Sequence, residues 1–498
     1  MNQRVRSLQD PDFTNRVGHF LRSPWAIASA AFSSSLALEL WLALPNGFQT
    51  HFYGVPATTS IAKLLPILGG SDSGSYLTGA VDLQDGSVSP THQWIFNLWP
   101  PGMPAILASM IKLGNGASPI LPMVFLLCVL WSFNVATMAV FLIPRRGYIG
   151  LGLFVIFWIL SPIFTGWTIH AGVLGSDGLA TALGSLVTIG LLWASLRPPA
   201  GRPRLFLYIG LAAALAGLAY LRIMWFYAVP TSLVIVLIIV LVRIVVKATR
   251  GDRKFISRNR SGFIEWVALG AVFLILCAPW TIYVGKVLHP GNFQWSTGDY
   301  QWAQLWMSDK YLASVGGGFL EEGGGNWPCD IDPQKCRDLS RIEFSTTTPY
   351  GGQAPNTFTV FQHDAFKVAL THPLQFVAVR SEVTLRTWLS VPGAGVGTFG
   401  NIGFGLVTLL TFIGALLLLA IESIKHRAAG PLTIFLILGT NIGVIWLTHF
   451  ETRYVVPLQA ISLIVVIFWA TKYEENLWGR IAARRGTVAI TALEKFDA

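Results

Sequence analysis

Two acids stand out in a chain where charge is scarce. Asp72 lies in GGSDSGSYLTGAVDLQDG, residues 69 to 86, flanked by glycines, with Tyr76 close by and Asp82 and Asp85 behind it. Asp177 lies in HAGVLGSDGLATALGSL, residues 170 to 186, directly ahead of an apolar run. A carboxylate at a pocket edge can take a proton from an attacking hydroxyl or help hold a metal ion. The same positions also read as helix starts, where Asp and Ser cap the first turn. Both readings stay open on these stretches alone. Arg222 in GLAYLRIMWF and Arg453 in THFETRYVVP are single charges in long apolar contexts. A guanidinium there either snorkels to lipid headgroups or grips a phosphate through paired hydrogen bonds. His449 and Glu451 share the segment of Arg453, and His170 shares that of Asp177. With Tyr76 they complete the candidate substrate-binding set.

These residues need a frame, and composition says which kind. Of 498 residues 53% are hydrophobic and 12% charged, against about 25% charged in soluble domains. The chain therefore reads as an all-α, polytopic membrane protein. A spanning helix needs about 20 apolar residues. Ten runs qualify: 24–44, 119–143, 148–168, 178–196, 205–224, 226–246, 262–285, 402–422, 431–449 and 454–471. The first follows Arg4, Arg6, Arg16 and Arg22 and is too long for a cleaved signal, so a retained signal anchor is expected. A further run at 100–114, opened by Pro100 and Pro101, is too short to cross and is expected along the interface.

Orientation follows from the basic residues, which concentrate in short cytoplasmic loops. With ten spans and the N-terminus inside, Arg145 and Arg146, Arg197 to Arg204, Arg243 to Arg260, Lys425 and Arg427, and the tail from Lys472 all fall on one side. The net charge of +10 then belongs to these loops rather than to nucleic acid binding. The opposite side receives the loop 45–99, the turn 169–177, the long loop 286–401 and the turn 450–453. All the candidate residues lie on that side. Cys329 and Cys336 also lie there, in PCDIDPQKCRD; with no His or further Cys nearby, a disulfide is preferred over a metal site.

Three regions are expected. Residues 1–285 form a catalytic membrane module that includes loop 45–99 and the interfacial helix 100–114. Residues 286–401 form the long loop. Residues 402–498 supply the last helices and a cytoplasmic tail. Within the long loop, GGGFLEEGGGNW at 316–327 lacks the Lys-Ser of a phosphate loop and reads as a flexible connection. The segment 363–390 has helical apolar spacing and is expected to enter the membrane as an amphipathic helix.

The order of these features resembles the GT-C superfamily of integral-membrane glycosyltransferases, and within it the protein mannosyltransferase and lipid A aminoarabinose transferase branch. The resemblance rests on an acid with a Tyr in the first outer loop, a Pro-Pro opening a short helix, and an Asp at the mouth of a later span. It rests further on an Arg after GLAYL, Pro279 and Trp280 near the end of the seventh span, and a late RYVVP. It spans most of residues 20 to 470. The resemblance implies inverting transfer of a sugar from a polyprenyl-phosphate carrier to an extracytoplasmic lipid, glycan or protein. In that reading Asp72 is the base or acceptor-positioning group and Asp177 the second acid. Arg222 and Arg453 face the lipid phosphate, and a divalent metal is left open. Ser73 and Trp99 depart from the family, which often has a second acid and a Lys there. Trp94, Trp295, Trp302 and Trp306 stand in the outer loops, where such rings stack on sugars or anchor at the interface.

The rival class is a transporter or flippase, which predicts charged or broken helices at mid-membrane and paired repeats. Here the candidate charges collect at outer helix ends. A bacterial inner (plasma) membrane is the expected location, with the site on the periplasmic or extracellular side.

Overall fold

The computed structural model describes residues 23–47, 49–50, 55–56, 59–68, 72–86, 88–143, 148–172, 174–196, 202–249, 253–288, 397–425, 429–447 and 454–473, with isolated positions between 370 and 389. Arg453, His449, Glu451, Cys329, Cys336, Trp295, Trp302 and Trp306 lie outside the described residues.

Long apolar runs with no polar face become helices that bury on all sides or meet lipid. They run in chain order as α1 (Pro24–Gly47), α6 (Ile120–Leu142), α7 (Tyr148–Gly172), α8 (Ser176–Leu196), α9 (Arg202–Leu221), α10 (Ile223–Thr249), α11 (Arg253–Tyr283), α12 (Gly397–Lys425), α13 (Ala429–Leu447) and α14 (Tyr454–Tyr473). Between α1 and α6 lie α2 (Ile61–Leu68), α3 (Asp72–Gln84), α4 (Gln93–Leu98) and α5 (Gly102–Leu113). The extended pairing among the described residues is a two-residue ladder, Gln49–Thr50 against Val55–Pro56. Within the described residues, all ten expected segments are thus helical, with a break at Arg222. Among the described residues, seven stretches are long and apolar enough to cross a membrane, in α1, α6, α8, α10, α11, α12 and α14. The protein is a multi-pass membrane protein.

Burial separates inner from outer helices. In α8 and α14, 72% and 67% of the apolar window is buried, against 22% in α10. On α10, Val234, Ile238, Leu241 and Val245 recur at helical spacing and are exposed, as a lipid-facing stripe requires. The inner helices interlock through rings and small residues. Phe141 of α6 stacks on Phe468 of α14 with centroids 3.6 Å apart. Gly184 of α8 admits both Trp225 of α10 and Ile461 of α14. Polar side chains bridge helices where lipid supplies no partner. Asn134 Nδ2 of α6 donates to the Ala182 carbonyl of α8 at 2.9 Å, and Ser161 of α7 donates to the buried Glu39 of α1 at 2.9 Å. The C-terminal helices belong to the same bundle, for α13 packs on α8 and α10. Trp388 and Gln459 of α14 both donate to the Thr408 hydroxyl of α12, at 3.1 and 3.0 Å.

The short helices pack at one end of this bundle. Helix α5 spans 12 residues, about 18 Å at 1.5 Å per residue, well short of a 30 Å hydrocarbon core. Its Met103, Leu107 and Ile111 form one buried stripe, and it packs against α3. Its first residue, Gly102, sits so close to the end of α9 that a Cβ would overlap the Tyr220 carbonyl. A glycine is required there because backbone meets backbone. Gly102→Ala is expected to lower stability by about 1–3 kcal/mol, read as thermal unfolding in detergent. Gly210→Ala, where a Cβ would meet nothing within 4 Å, should be neutral.

Candidate functional site

Helix α3 answers why acids occupy the first loop, and it gives them different work. It begins at Asp72 and buries Ser73, Gly74, Ser75, Tyr76, Leu77, Gly79, Ala80 and Asp82. Asp82 is an internal tie. Its carboxylate lies 2.9 Å from His92 Nδ1 and accepts the Ser89 backbone N–H at 3.1 Å, pinning the turn that leads into α4. Asp85 is exposed at the helix end. Asp72 is half-buried in the first turn, four residues before Tyr76 and so on the same helix face.

Tyr76 carries that face to the next element. It is 1% exposed, and its hydroxyl lies 3.4 Å from the hydroxyl of Ser176, the first residue of α8. Its ring meets the Trp99 ring edge-on, with centroids 5.4 Å apart. Trp99 is held there by chain chemistry: the residue before a proline is pushed into the extended region, and Trp99 has φ −121° and ψ 142°. The Pro-Pro pair therefore both starts the interfacial helix and aims the indole.

Asp177 follows Ser176 in the first turn of α8 and is 7% exposed. It forms an ion pair with Arg222 Nη2, and Arg222 is itself 8% exposed. Arg222 is the single non-helical residue between α9 and α10. Its backbone N–H donates to Leu218 and its carbonyl accepts from Trp225, so the joint is hydrogen-bonded on both sides. The guanidinium stacks over the Tyr454 ring, 4.5 Å from the centroid. The α8 dipole favours the acid at its start, while Arg222 stands between the end of α9 and the start of α10, whose dipoles oppose one another there. Two charges are matched in a dry site, and the aromatic face caps the cation.

Tyr76, Asp177 and Arg222, picked out from separate stretches of sequence, thus meet around the start of α8, and Asp72 lies one helical turn before Tyr76 on α3. Asp177 and Arg222, expected in separate roles, are partners. His170 lies near the end of α7, two residues from its last position. Trp99, Ser176 and Tyr454 were not foreseen as site residues. Tyr454 adjoins Arg453 in RYVVP, and aromatic residues at span ends ordinarily read as interface anchors. Chemically the elements around the start of α8 offer a half-buried carboxylate on α3, a buried phenol on Ser176 and a buried guanidinium on Asp177. One of that planar group's five N–H donors points to Asp177, and its fork geometry suits a second, anionic acceptor. Among the described residues no group of three His, Cys, Asp or Glu is placed to hold a metal ion.

Breaking one side of a buried pair strands the other charge, at a cost of about 3–5 kcal/mol. Asp177→Asn and Arg222→Gln should each lower thermal stability by that order. The Asp177→Asn/Arg222→Gln double variant should recover most of the loss, a coupling that a double-mutant cycle in detergent measures directly.

No protein-family model and no curated protein matches the chain.

Proposed function

We propose that this protein is a membrane glycosyltransferase of the GT-C type. It moves a sugar from a polyprenyl-phosphate-linked donor to an acceptor hydroxyl on a lipid, glycan or protein at the extracytoplasmic face. The observation that carries the reading is the contact of Tyr76 with Ser176, the residue next to the Asp177–Arg222 pair, with Asp72 one turn before Tyr76 on the same helix. In the ten-span topology, with the N-terminus in the cytoplasm of a bacterial inner membrane, that end faces outward.

In this mechanism the carrier's isoprenoid tail lies among the spans and its phosphate reaches Arg222, with Arg453 as a second cation. Asp177 is a positioning residue that fixes the guanidinium plane. The acceptor oxygen attacks the anomeric carbon from the face opposite the phosphate. The bond from that carbon to the phosphate oxygen breaks, the polyprenyl phosphate departs with the bonding pair, and the configuration inverts. Asp72 takes the proton of the attacking hydroxyl, and Arg222 stabilises the charge that gathers on the leaving phosphate. Trp99, partly exposed and braced by the buried Tyr76 edge-on, is the ring on which a sugar can lie. The Cys329–Cys336 disulfide and the division at residues 285 and 401 belong to the same reading.

One observation favours the rival transporter or flippase. Glu39 is 1% exposed within α1 and bonded to Ser161, and intramembrane acids mark ion or substrate pathways. The two readings separate cleanly. Incubated with a polyprenyl-phosphate sugar labelled in the sugar, the purified protein should transfer label to an acceptor fraction from the cell envelope. Asp72→Asn should cut that transfer at least about 100-fold with unchanged protein yield and thermal stability. Label that crosses proteoliposomes still attached to its carrier, undiminished in Asp72→Asn, would identify the transporter instead.

Topology has its own test. In whole cells, Gly86→Cys should react with a membrane-impermeant maleimide. Arg253→Cys should react only after permeabilisation. The reverse pattern would move the site to the cytoplasm and remove the donor chemistry proposed for it.

A further inference from the structure

A second feature lies between α1, α6 and α7 and is independent of the sugar-transfer reading. Among the described residues of α1 the buried ones are Ala31, Ser35, Glu39 and Ala43, every fourth position, so one narrow face of mostly small side chains meets α6 and α7. Glu39 is the one ionisable residue of α1, and none of the three helices contains a Lys or an Arg. Ser161 and Thr165, one turn apart on α7, both donate to its carboxylate.

Two details mark this polar cluster as a seat for a ligand. Pro162 lies inside α7 and supplies no N–H, which frees the Trp158 carbonyl one turn earlier. The Ser161 hydroxyl lies 3.1 Å from that carbonyl and 2.9 Å from Glu39 Oε1, and the Thr165 hydroxyl lies 3.3 Å from the Ser161 carbonyl. Each hydroxyl thus has a backbone acceptor besides the carboxylate. With its hydrogen turned to the backbone, it presents lone pairs on the side of Glu39. The other detail is Ser35. It is 0% exposed, one turn before Glu39 on the same buried face, and its hydroxyl has no hydrogen-bond partner. Its neighbour Ser34 donates to the Ala31 carbonyl at 3.1 Å instead.

An open buried hydroxyl beside a carboxylate that lacks a counter-charge calls for a bound water or ion. Charge decides between them. Water leaves the carboxylate unneutralised, and a divalent ion leaves an uncompensated positive charge. A proton neutralises Glu39 but leaves Ser35 unpaired, because the Ser35 hydroxyl stands beyond hydrogen-bond reach of the acid. A monovalent ion both balances the charge and engages the open hydroxyl. The donors are all oxygen, as hard cations prefer, and a helix face of Ala and Ser brings the backbones close, which suits the smaller alkali ion. We propose that Glu39, Ser35, Ser161 and Thr165 form a buried sodium site that fastens α1 to α7.

The test uses the full chain, purified in detergent at neutral pH, in sodium, potassium or choline chloride at one ionic strength so that screening is equal. Sodium should raise Tm by about 2–4 °C over choline, saturating with concentration, and potassium by less than half as much. Ser35→Ala removes a hydroxyl that bonds to nothing in the protein, so Tm in choline should hold. The sodium concentration that gives half the shift should nevertheless rise about tenfold. Glu39→Gln, which keeps an acceptor for Ser161 and Thr165, should abolish the sodium increment. Equilibrium binding of radiolabelled sodium to the unaltered protein and to Ser35→Ala supplies a readout that does not depend on unfolding. Equal Tm in the three salts, or no saturable sodium binding, overturns the proposal. So does a sodium increment that survives in Glu39→Gln, or a sodium response unchanged in Ser35→Ala. A Tm that follows pH and ignores sodium overturns it as well and would mark a proton on Glu39 in place of the ion.

Discussion

A buried charge must be matched, and the Asp177–Arg222 pair is where this protein meets that constraint at its candidate site. Removing a carboxylate and a guanidinium from water costs several kcal/mol each, recovered only with close, well-satisfied geometry. Here the start of α8 supplies the acid, the joint of α9 and α10 supplies the cation, and the start of α14 supplies the ring that covers it. Those helix ends are therefore obliged to meet. Other close approaches in the bundle agree with that demand. Gly184 lets Trp225 and Ile461 reach α8, and Gly102 lets α5 rest on the carbonyl of Tyr220, two residues before the cation.

The first loop shows how surroundings rather than residue type assign roles. Asp82 and Asp72 sit on one 13-residue helix. Asp82 is consumed by an imidazole and a backbone N–H and stabilises the turn before α4. Asp72 stands half-buried beside the Tyr76 face that reaches Ser176. A reading that treated the acids of this loop as equivalent would spread one chemical role over groups that the fold has already separated.

Much of the bundle was legible in the sequence because hydrocarbon imposes a blunt rule: long apolar runs must be helices. Within the described residues all ten runs are helical apart from the break at Arg222, and α5 is the short helix its Pro-Pro start announces. Asp177 and Arg222 were legible too, since isolated charges in apolar contexts are rare. Their partnership was not, because a whole helix separates them in the chain and only packing brings them together. The joint at Arg222 was missed, with the expected run continuing to 224, because neither Gly nor Pro marks it. Trp99 and Tyr454 were hidden by the abundance of aromatic residues at span ends. Glu39 is a lone charge in LALELWLAL by the same criterion and was passed over; its partner Ser161 lies in another helix.

The position of the ion pair within the chain bears on biogenesis. Asp177 and Arg222 belong to neighbouring hairpins, whereas Tyr454 begins the last described helix. As the polypeptide leaves the ribosome and enters the bilayer from its N-terminus, the acid and the base can neutralise one another while the C-terminal third is still being synthesised. Each thus lowers the cost of placing the other in the bilayer, and the aromatic ring closes over an already neutral couple. A chain carrying either charge alone would meet part of its cost during insertion, in addition to the stability lost by the finished protein.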